Sequence, residues 1–312
     1  MTEVEWLEIV ETFLDEKHEV INTKNEDTAI IKFKDEFVLL TTDAIVEEVH
    51  FSFNYFSFYE LGWKLGASNL SDIAACGGEP LWALLNVGSP KAFSEKEINE
   101  FFTGLKDVLF KFNAKLVGGD TVYSPINFFS LSVIGKTKNP ISRKGASPGE
   151  LVFVSKKLGE SAAFLRLIKK LPKDEIPENI RKAHLLPEPE VILGKTLSEK
   201  RIASAMMDVS DGLLIDLYRL CKASKVGVII YEEKIPIGEG VTLDEALSGG
   251  EDFALLFTVP KEKVETLKSV EEELKKEVHL IGEIIKDEGI FLKTKEKTCS
   301  ICPKGFDHFE FK

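Results

Sequence analysis

Phe37-Val38-Leu39-Leu40-Thr41-Thr42-Asp43-Ala44 reads as an apolar β-strand closed by two hydroxyls and a carboxylate. Residues 28–33 before it are equally β-rich, and Lys34-Asp35-Glu36 between the two runs is a hairpin signal. Four further acidic motifs, each ending a strand-like run or opening a helix-like one, lie along the chain. They are Glu26-Asp27, Ser71-Asp72, Gly118-Gly119-Asp120 and Asp208-Val209-Ser210-Asp211. Carboxylates at strand ends can converge on one place, where several cannot all stay ionised without a cation between them. Hard oxygen ligands suit Mg²⁺, usually shared with a substrate phosphate. The pattern predicts a metal-dependent phosphoryl-transfer enzyme on a mixed α and β scaffold.

Working outward, Val4, Leu7, Val10, Phe13 and Leu14 give residues 3–17 helical spacing. Residues 57–76 read as a helix in which Gly62 and Gly66 admit close approach of another backbone. Residues 81–88 and 114–118 read as buried strands, with a helix over 95–112 between them and a strand over 127–135 after them. The stretch 136–150 is polar and rich in turn formers. It divides the chain into an expected N-terminal α/β domain, residues 1–137, and a C-terminal one, residues 149–312. The second half opens with the strand Leu151–Val154 and a helix from Glu160, followed by a helical stretch over 172–200. A β-α-β unit is expected from 203–207, 211–224 and 226–231, then strand 253–259, helix 261–276 and strand 278–285. Such alternation gives α/β or α+β layers.

Composition excludes several classes. The net charge of -12 argues against a nucleic-acid partner, which asks for a basic patch. No apolar run is long enough to span a bilayer, and the N-terminus lacks a basic leader. The expectation is a cytoplasmic protein with no membrane partner. Four cysteines suit reduced thiols; Cys299-Ser300-Ile301-Cys302 is a single CxxC, with His308 as a candidate extra zinc ligand and incidental thiols as the ordinary reading.

Each motif also has an ordinary explanation. Thr41-Thr42-Asp43 can be a turn or helix N-cap, and Gly118-Gly119-Asp120-Thr121 a strand-to-loop turn. Asp208-Val209-Ser210-Asp211-Gly212 can be a capped helix start, or its N–H groups can bind an anion. Asp72 sits among small apolar residues, where a carboxylate costs free energy unless paired or metal-bound. Gly249-Gly250-Glu251-Asp252 can add a carboxylate to a pocket or simply turn the chain. Neither Gly194-Lys195-Thr196 nor Gly135-Lys136-Thr137 completes a phosphate-binding Walker loop, because Pro189 and Ser130 hold the leading glycine position.

In order and spacing, these stretches together resemble the thiamine-monophosphate kinase family, of the superfamily of aminoimidazole ribonucleotide synthetase and selenophosphate synthetase. The resemblance runs from Asn25 to Phe309. Thr41–Ala44 with its Val49-His50-Phe51 tail, Asn69–Ala75, Gly118–Thr121, Asp208–Leu213, Gly249–Asp252 and Gly305-Phe306-Asp307-His308-Phe309 carry it. Glu26, Glu48, Ala254 and Phe306 depart from the family's usual residues. The resemblance implies an aminoimidazole ribonucleotide synthetase-like fold, a homodimer whose N-terminal halves pair into a β-barrel, and ATP bound between the two domains. It implies Mg²⁺ on Asp27, Thr41, Thr42, Asp43, Asp72, Asp120, Asp208 and Asp211, with Asp43, Asp72 and Asp120 central to catalysis. ATP would touch Gly119, Asp120, Arg143 and Ser210, and thiamine monophosphate would touch His50, Glu251 and Phe306.

Two other readings stay open on sequence. One is a different ATP-dependent enzyme of the superfamily, of the aminoimidazole ribonucleotide synthetase kind. Selenophosphate synthetase asks for a reactive N-terminal Cys, whereas the first here is Cys76, and the hydrogenase-maturation relative asks for a C-terminal Cys. The other is a non-enzymatic nucleotide- or metal-binding regulator.

Overall fold

The computed structural model describes residues 5–6, 9–10, 12–14, 20–22 and 26–309. Much of the helix expected over 3–17 lies outside the described residues, as does Asn25.

The first sheet has six strands: β1 Val20–Asn22, β2 Ala29–Phe33, β3 Glu36–Val46, β4 Glu79–Ser89, β5 Lys115–Tyr123 and β6 Phe128–Thr137. Their order is β1-β2-β3-β6-β4-β5, and only the β4–β5 pair is parallel. The expected hairpin forms, with Lys34 taking a positive φ of 56° at its turn. Strand β3 is longer than its apolar run, pairing with β6 from Phe37 opposite Thr137 to Val46 opposite Phe128. Thr41-Thr42-Asp43 therefore lies within a strand instead of ending one. The β-rich run in the sequence spans 37–42, whereas pairing with β6 continues to Val46.

Helix α1, Phe58–Ala75, starts at a capping box in which Ser57 and Glu60 exchange hydrogen bonds. It ends where Gly77 and Gly78 donate back to Ala74 and Ile73. Helix α2, Glu95–Lys111, crosses it in backbone contact. A Cβ on Gly62 would stand 2.1 Å from the Phe101 carbonyl oxygen, and one on Gly104 1.9 Å from that of Tyr59. Only glycine fits these two positions.

Strand β5 is not the buried strand its apolar residues suggest. It forms the sheet edge and is almost wholly exposed, and Gly118-Gly119-Asp120 lies inside it. Val117, Val122 and Tyr123 on β5, with Trp82 and Leu84 on β4, present large apolar side chains to solvent. Apolar composition signals burial, but nothing among the described residues covers these side chains.

The second sheet comprises β7 Leu151–Val154, β8 Ala205–Val209, β9 Gly227–Tyr231, β10 Ala254–Val259, β11 His279–Ile285, β12 Gly289–Lys293 and β13 Thr298–Ser300, in the order β13-β12-β9-β11-β7-β10-β8. Its helices are α3 Glu160–Leu167, α4 Glu178–Leu185, α5 Val191–Glu199, α6 Leu213–Ser224, α7 Leu243–Ser248 and α8 Val264–Leu274. Prolines 177, 187 and 189 break the helical stretch expected over 172–200 into short pieces. The expected β-α-β unit exists, but three strands separate β8 from β9.

Residues 138–150 contain no strand or helix and join the two sheets. Neither sheet closes into a barrel among the described residues. Helix α1 is buried on most sides, against the first sheet and α2, and reaches α5 and β8 of the second half. Among the described residues no helix is long and apolar enough to cross a membrane.

Candidate active site

The far end of α1 brings carboxylates from three elements together. One carboxylate oxygen each from Asp27, Asp72 and Asp208 lies within 4.8 Å of the other two. Asp27 precedes β2, Asp72 sits in the last turn of α1, and Asp208 lies in β8. Thr41 donates its hydroxyl to Asp72 Oδ2 at 2.5 Å, and Ser71 donates to Asp208 Oδ2 at 2.6 Å. Arg143 donates Nη2 to Asp27 Oδ1 at 2.5 Å. The other oxygen, Asp27 Oδ2, is buried without a hydrogen-bond partner.

Burial, reinforced by neighbouring carboxylates, holds Asp72 and Asp208 well above the ordinary carboxylate range. Asp43, on the same face of β3 as Thr41, is pushed up to about 6 by burial and by Asp211 and Asp27, against a hydrogen bond from Ser68. Its backbone N–H donates to Asn69 of α1. Glu26 is pushed up to about 7 by burial. Its carboxylate accepts from the Ser142 hydroxyl and the Arg143 N–H, which ties the linker to the cluster. A hard cation fits this donor set: it would satisfy the orphaned Asp27 oxygen and cancel the repulsion between the clustered carboxylates.

The loop after β8 differs from expectation. Its N–H groups at Ser210, Asp211 and Gly212 all point at Asp216 Oδ2, at 3.1–3.2 Å. They are therefore not free to bind an anion. Asp216 is fully buried, and Arg219 bridges it to Asp211, at 2.9 and 2.5 Å. Burial pushes Asp216 up to about 7. Both residues were missed, although a carboxylate four residues into a helix after Asp-Gly is a readable cap signal.

A second constellation lies near the other end of α1. The His50 and His308 rings are 5.1 Å apart, and Phe306 meets His308 edge-on at 4.8 Å. The Phe306 N–H donates to the Asp211 carbonyl, which joins this aromatic group to the carboxylate loop. Val46 N–H donates to His50 Nδ1, and burial lowers the His50 pKa to about 4. Glu251 pairs with Lys64 Nζ at 2.7 Å and lies 3.4 Å from His184 Nδ1.

The profile of the AIR synthase related protein N-terminal domain matches residues 25–137, and that of its C-terminal domain residues 147–295. The thiamine-monophosphate kinase of Buchnera aphidicola subsp. Acyrthosiphon pisum is 36% identical over 300 residues, covering 91% of each chain. That of Aquifex aeolicus is 33% identical over 296 residues, covering 91% of this chain and 92% of its own.

The chain belongs to the thiamine-monophosphate kinase family.

Among solved structures, AaThiL complexed with AMPPCP and TMP superposes with a TM-score of 0.87 at 32% identity, covering 99% of this chain and 97% of that one. Hydrogenase maturation protein HypE in complex with ATP shares the fold, at a TM-score of 0.71 and 14% identity.

Not every residue that the kinase family resemblance points to is gathered in this chain. The alternation of β3 sends the Thr42 hydroxyl to the opposite face, where it bonds Leu131 O and Ser132. Asp120 is exposed and accepts only from its neighbour Thr121 N–H among the hydrogen bonds described. Asp43 is opposite Leu131, Leu131 opposite Leu85, and Leu85 opposite Gly119. Three strand spacings, about 14 Å, thus separate the Gly119-Asp120 stretch from Asp43. That stretch lines a cavity of about 310 Å³ with Leu85, Phe102 and Leu116. Phe102, Lys64 and His184 carried no motif that marked them, and His308, inside the Gly305–Phe309 stretch, was read only as a candidate zinc ligand.

Proposed function

We infer that the protein transfers the γ-phosphoryl group of ATP to thiamine monophosphate, giving thiamine diphosphate and ADP. The observation that carries this reading is the buried Asp27–Asp72–Asp208 cluster with its orphaned Asp27 oxygen. Family membership agrees with it.

Asp27, Asp43, Asp72 and Asp208 would hold Mg²⁺, with Thr41 and Asp211 beside them; the Thr42 hydroxyl leaves the set. Bound there, Mg²⁺ would screen the repulsion between two polyanionic substrates. The acceptor brings its own phosphate oxygen as nucleophile, so no strong base is needed and direct in-line transfer suffices. Arg143 keeps a positive charge on the cluster's rim for nucleotide phosphates, and Ser210 borders the same loop. His50, held neutral by burial, and Phe306 offer aromatic faces to the acceptor's cationic ring, and Glu251 offers the opposite charge.

Asp120 and Gly119 enter this reading through a second copy. The exposed apolar side of β4 and β5 asks for a cover. A homodimer that joins two such sheets into a shared β-barrel would bury it. It would also bring one chain's Gly119-Asp120 cavity, as an ATP subsite, to the other's cluster. Residues 1–137 then supply the dimer contact and most carboxylates, and 149–312 supply Asp208, Asp211 and Glu251.

A coupled ADP-release assay with candidate acceptors tests the reading. ADP should appear only when thiamine monophosphate, ATP and Mg²⁺ are all present. ADP release with another phosphorylated acceptor and none with thiamine monophosphate would overturn it.

A further inference from the structure

Lys64, Ser68 and Asp72 recur every four residues on α1 and share one stripe of the helix. Asp72 belongs to the carboxylate cluster, and Ser68 hydrogen-bonds Asp43. Lys64 is eight residues from Asp72, a helical rise of about 12 Å. Its side chain is 1% exposed. Its ammonium lies 2.7 Å from Glu251 Oε1, donates to the His50 carbonyl at 3.1 Å, and stands 5.2 Å from the Phe56 ring. Both polar partners belong to residues assigned above to the acceptor, one from each half of the chain.

Packing alone gives no reason for an ammonium here. A buried charge costs several kcal/mol to desolvate, and an apolar side chain of similar length would fill the position without that cost. Burial lowers the Lys64 pKa while Glu251 opposes the shift, so the charge depends on this one carboxylate. Glu251 is held from its other side too. Its backbone is left-handed, with φ at 63°, and its N–H donates to the Ser210 carbonyl at 2.7 Å. His184, beside Oε2, is kept neutral by burial and stacks on Phe164 at 4.7 Å. Lys64 therefore supplies the full positive charge that faces Glu251.

We propose that Lys64 is a positioning residue for the acceptor: it ties the His50 loop to Glu251 and fixes that carboxylate against the acceptor's cationic ring, about 12 Å along α1 from the phosphoryl-transfer carboxylates. The proposal rests on the reading of thiamine monophosphate as acceptor. Lys64 acts through Glu251 and touches no reacting atom, so its loss bears on acceptor binding and leaves ATP binding alone.

The test uses steady-state kinetics on the whole protein, with thermal melting as a folding control. Lys64→Met should raise the KM for thiamine monophosphate about tenfold and move that for ATP by less than about twofold. Lys64→Met combined with Glu251→Gln removes both charges, so it leaves no buried ion unpaired even if the single variant folds poorly. Its acceptor KM should match that of Glu251→Gln alone within about twofold, because contacting residues that act as a unit are not additive. Equal shifts in both KM values, or single-variant effects that multiply in the double variant, would overturn the proposal alone. Wild-type protein that turns over ATP with a different acceptor would overturn the underlying reading instead.

Discussion

Asp72→Asn separates the two roles the carboxylate cluster imposes on this residue, a cation ligand and a source of repulsion. Its oxygen is within 4.8 Å of carboxylate oxygens of Asp27 and Asp208. At an effective dielectric constant of about 20, each fully ionised pair at that distance costs about 3.5 kcal/mol. Protonating Asp72 instead costs about 1.4 kcal/mol per pH unit above roughly 3.9, or about 4 kcal/mol at pH 7. Either route strains the metal-free fold, and Arg143 on Asp27 offsets part of it. The amide keeps the hydrogen bond from Thr41 and carries no charge, so the metal-free variant should gain about 2 kcal/mol. In EDTA it should melt about 5 °C above wild type. The pH dependence has a definite sign. The Asp72 pKa is raised in the folded state, so its favourable contribution is complete below the unfolded value near 3.9 and disappears as pH rises through the folded value. Metal-free wild type should therefore lose stability from mildly acid to neutral pH more steeply than the variant. Mg²⁺ should reverse the order, raising the wild-type melting temperature well above its own metal-free value and the variant's much less. Turnover should fall strongly, with the Mg²⁺ requirement raised about tenfold or more. Melting curves of wild type and variant that coincide in EDTA and respond equally to Mg²⁺, with near-normal turnover, would refute the cluster as a cation site.

Phe306→Ala should raise the KM for thiamine monophosphate severalfold to about thirtyfold, the range of a cation–aromatic contact worth about 0.5–2 kcal/mol, and leave that for ATP nearly unchanged; equal shifts would place Phe306 outside the acceptor pocket. Inactive Asp72→Asn and Asp120→Asn chains, unfolded together and refolded, should recover about a quarter of wild-type activity, because half the dimers are mixed and each has one intact shared site; no recovery would place Asp120 in its own chain's site or outside it. Val122→Glu, on the open apolar edge of β5, should give a monomer in sedimentation and abolish turnover, whereas an unchanged association state would leave that side without its proposed cover.

The sequence was most informative where local chemistry is self-contained. The Lys34 turn, the helix over 57–76 and the Gly62 crossing each depend on a few adjacent residues, and each forms where expected. Asp27, Asp43, Asp72 and Asp208 stand out as carboxylates that end strand-like runs or open helix-like ones, and for Asp72 the small apolar neighbours add that a carboxylate there is costly unless it has a partner. Thr42 points away from Thr41 and Asp43 by strand alternation, which is legible only once the motif is known to lie inside a strand and not at its end. Strand β5 was misread for a different reason. Apolar composition reports that a surface is to be covered and cannot say whether its own chain covers it. Lys64 and His184 stayed invisible because their partner, Glu251, is nearly 200 residues from one and 67 from the other, joined only by the fold. Asp216 belongs to no acidic motif of its own, and its role shows only once the fold turns the Ser210, Asp211 and Gly212 N–H groups onto it.

The central claim is direct phosphoryl transfer from ATP to thiamine monophosphate at the carboxylate cluster. The most direct measurement incubates the protein with γ-labelled ATP and Mg²⁺, first alone and then with thiamine monophosphate, and follows the label on protein and product. The account predicts no label on protein, label in thiamine diphosphate one for one with ADP once the acceptor is added, and measurable transfer in His50→Ala with weakened acceptor binding. Stoichiometric label on the protein that then passes into thiamine diphosphate would contradict it, with His50 the first residue to examine as nucleophile.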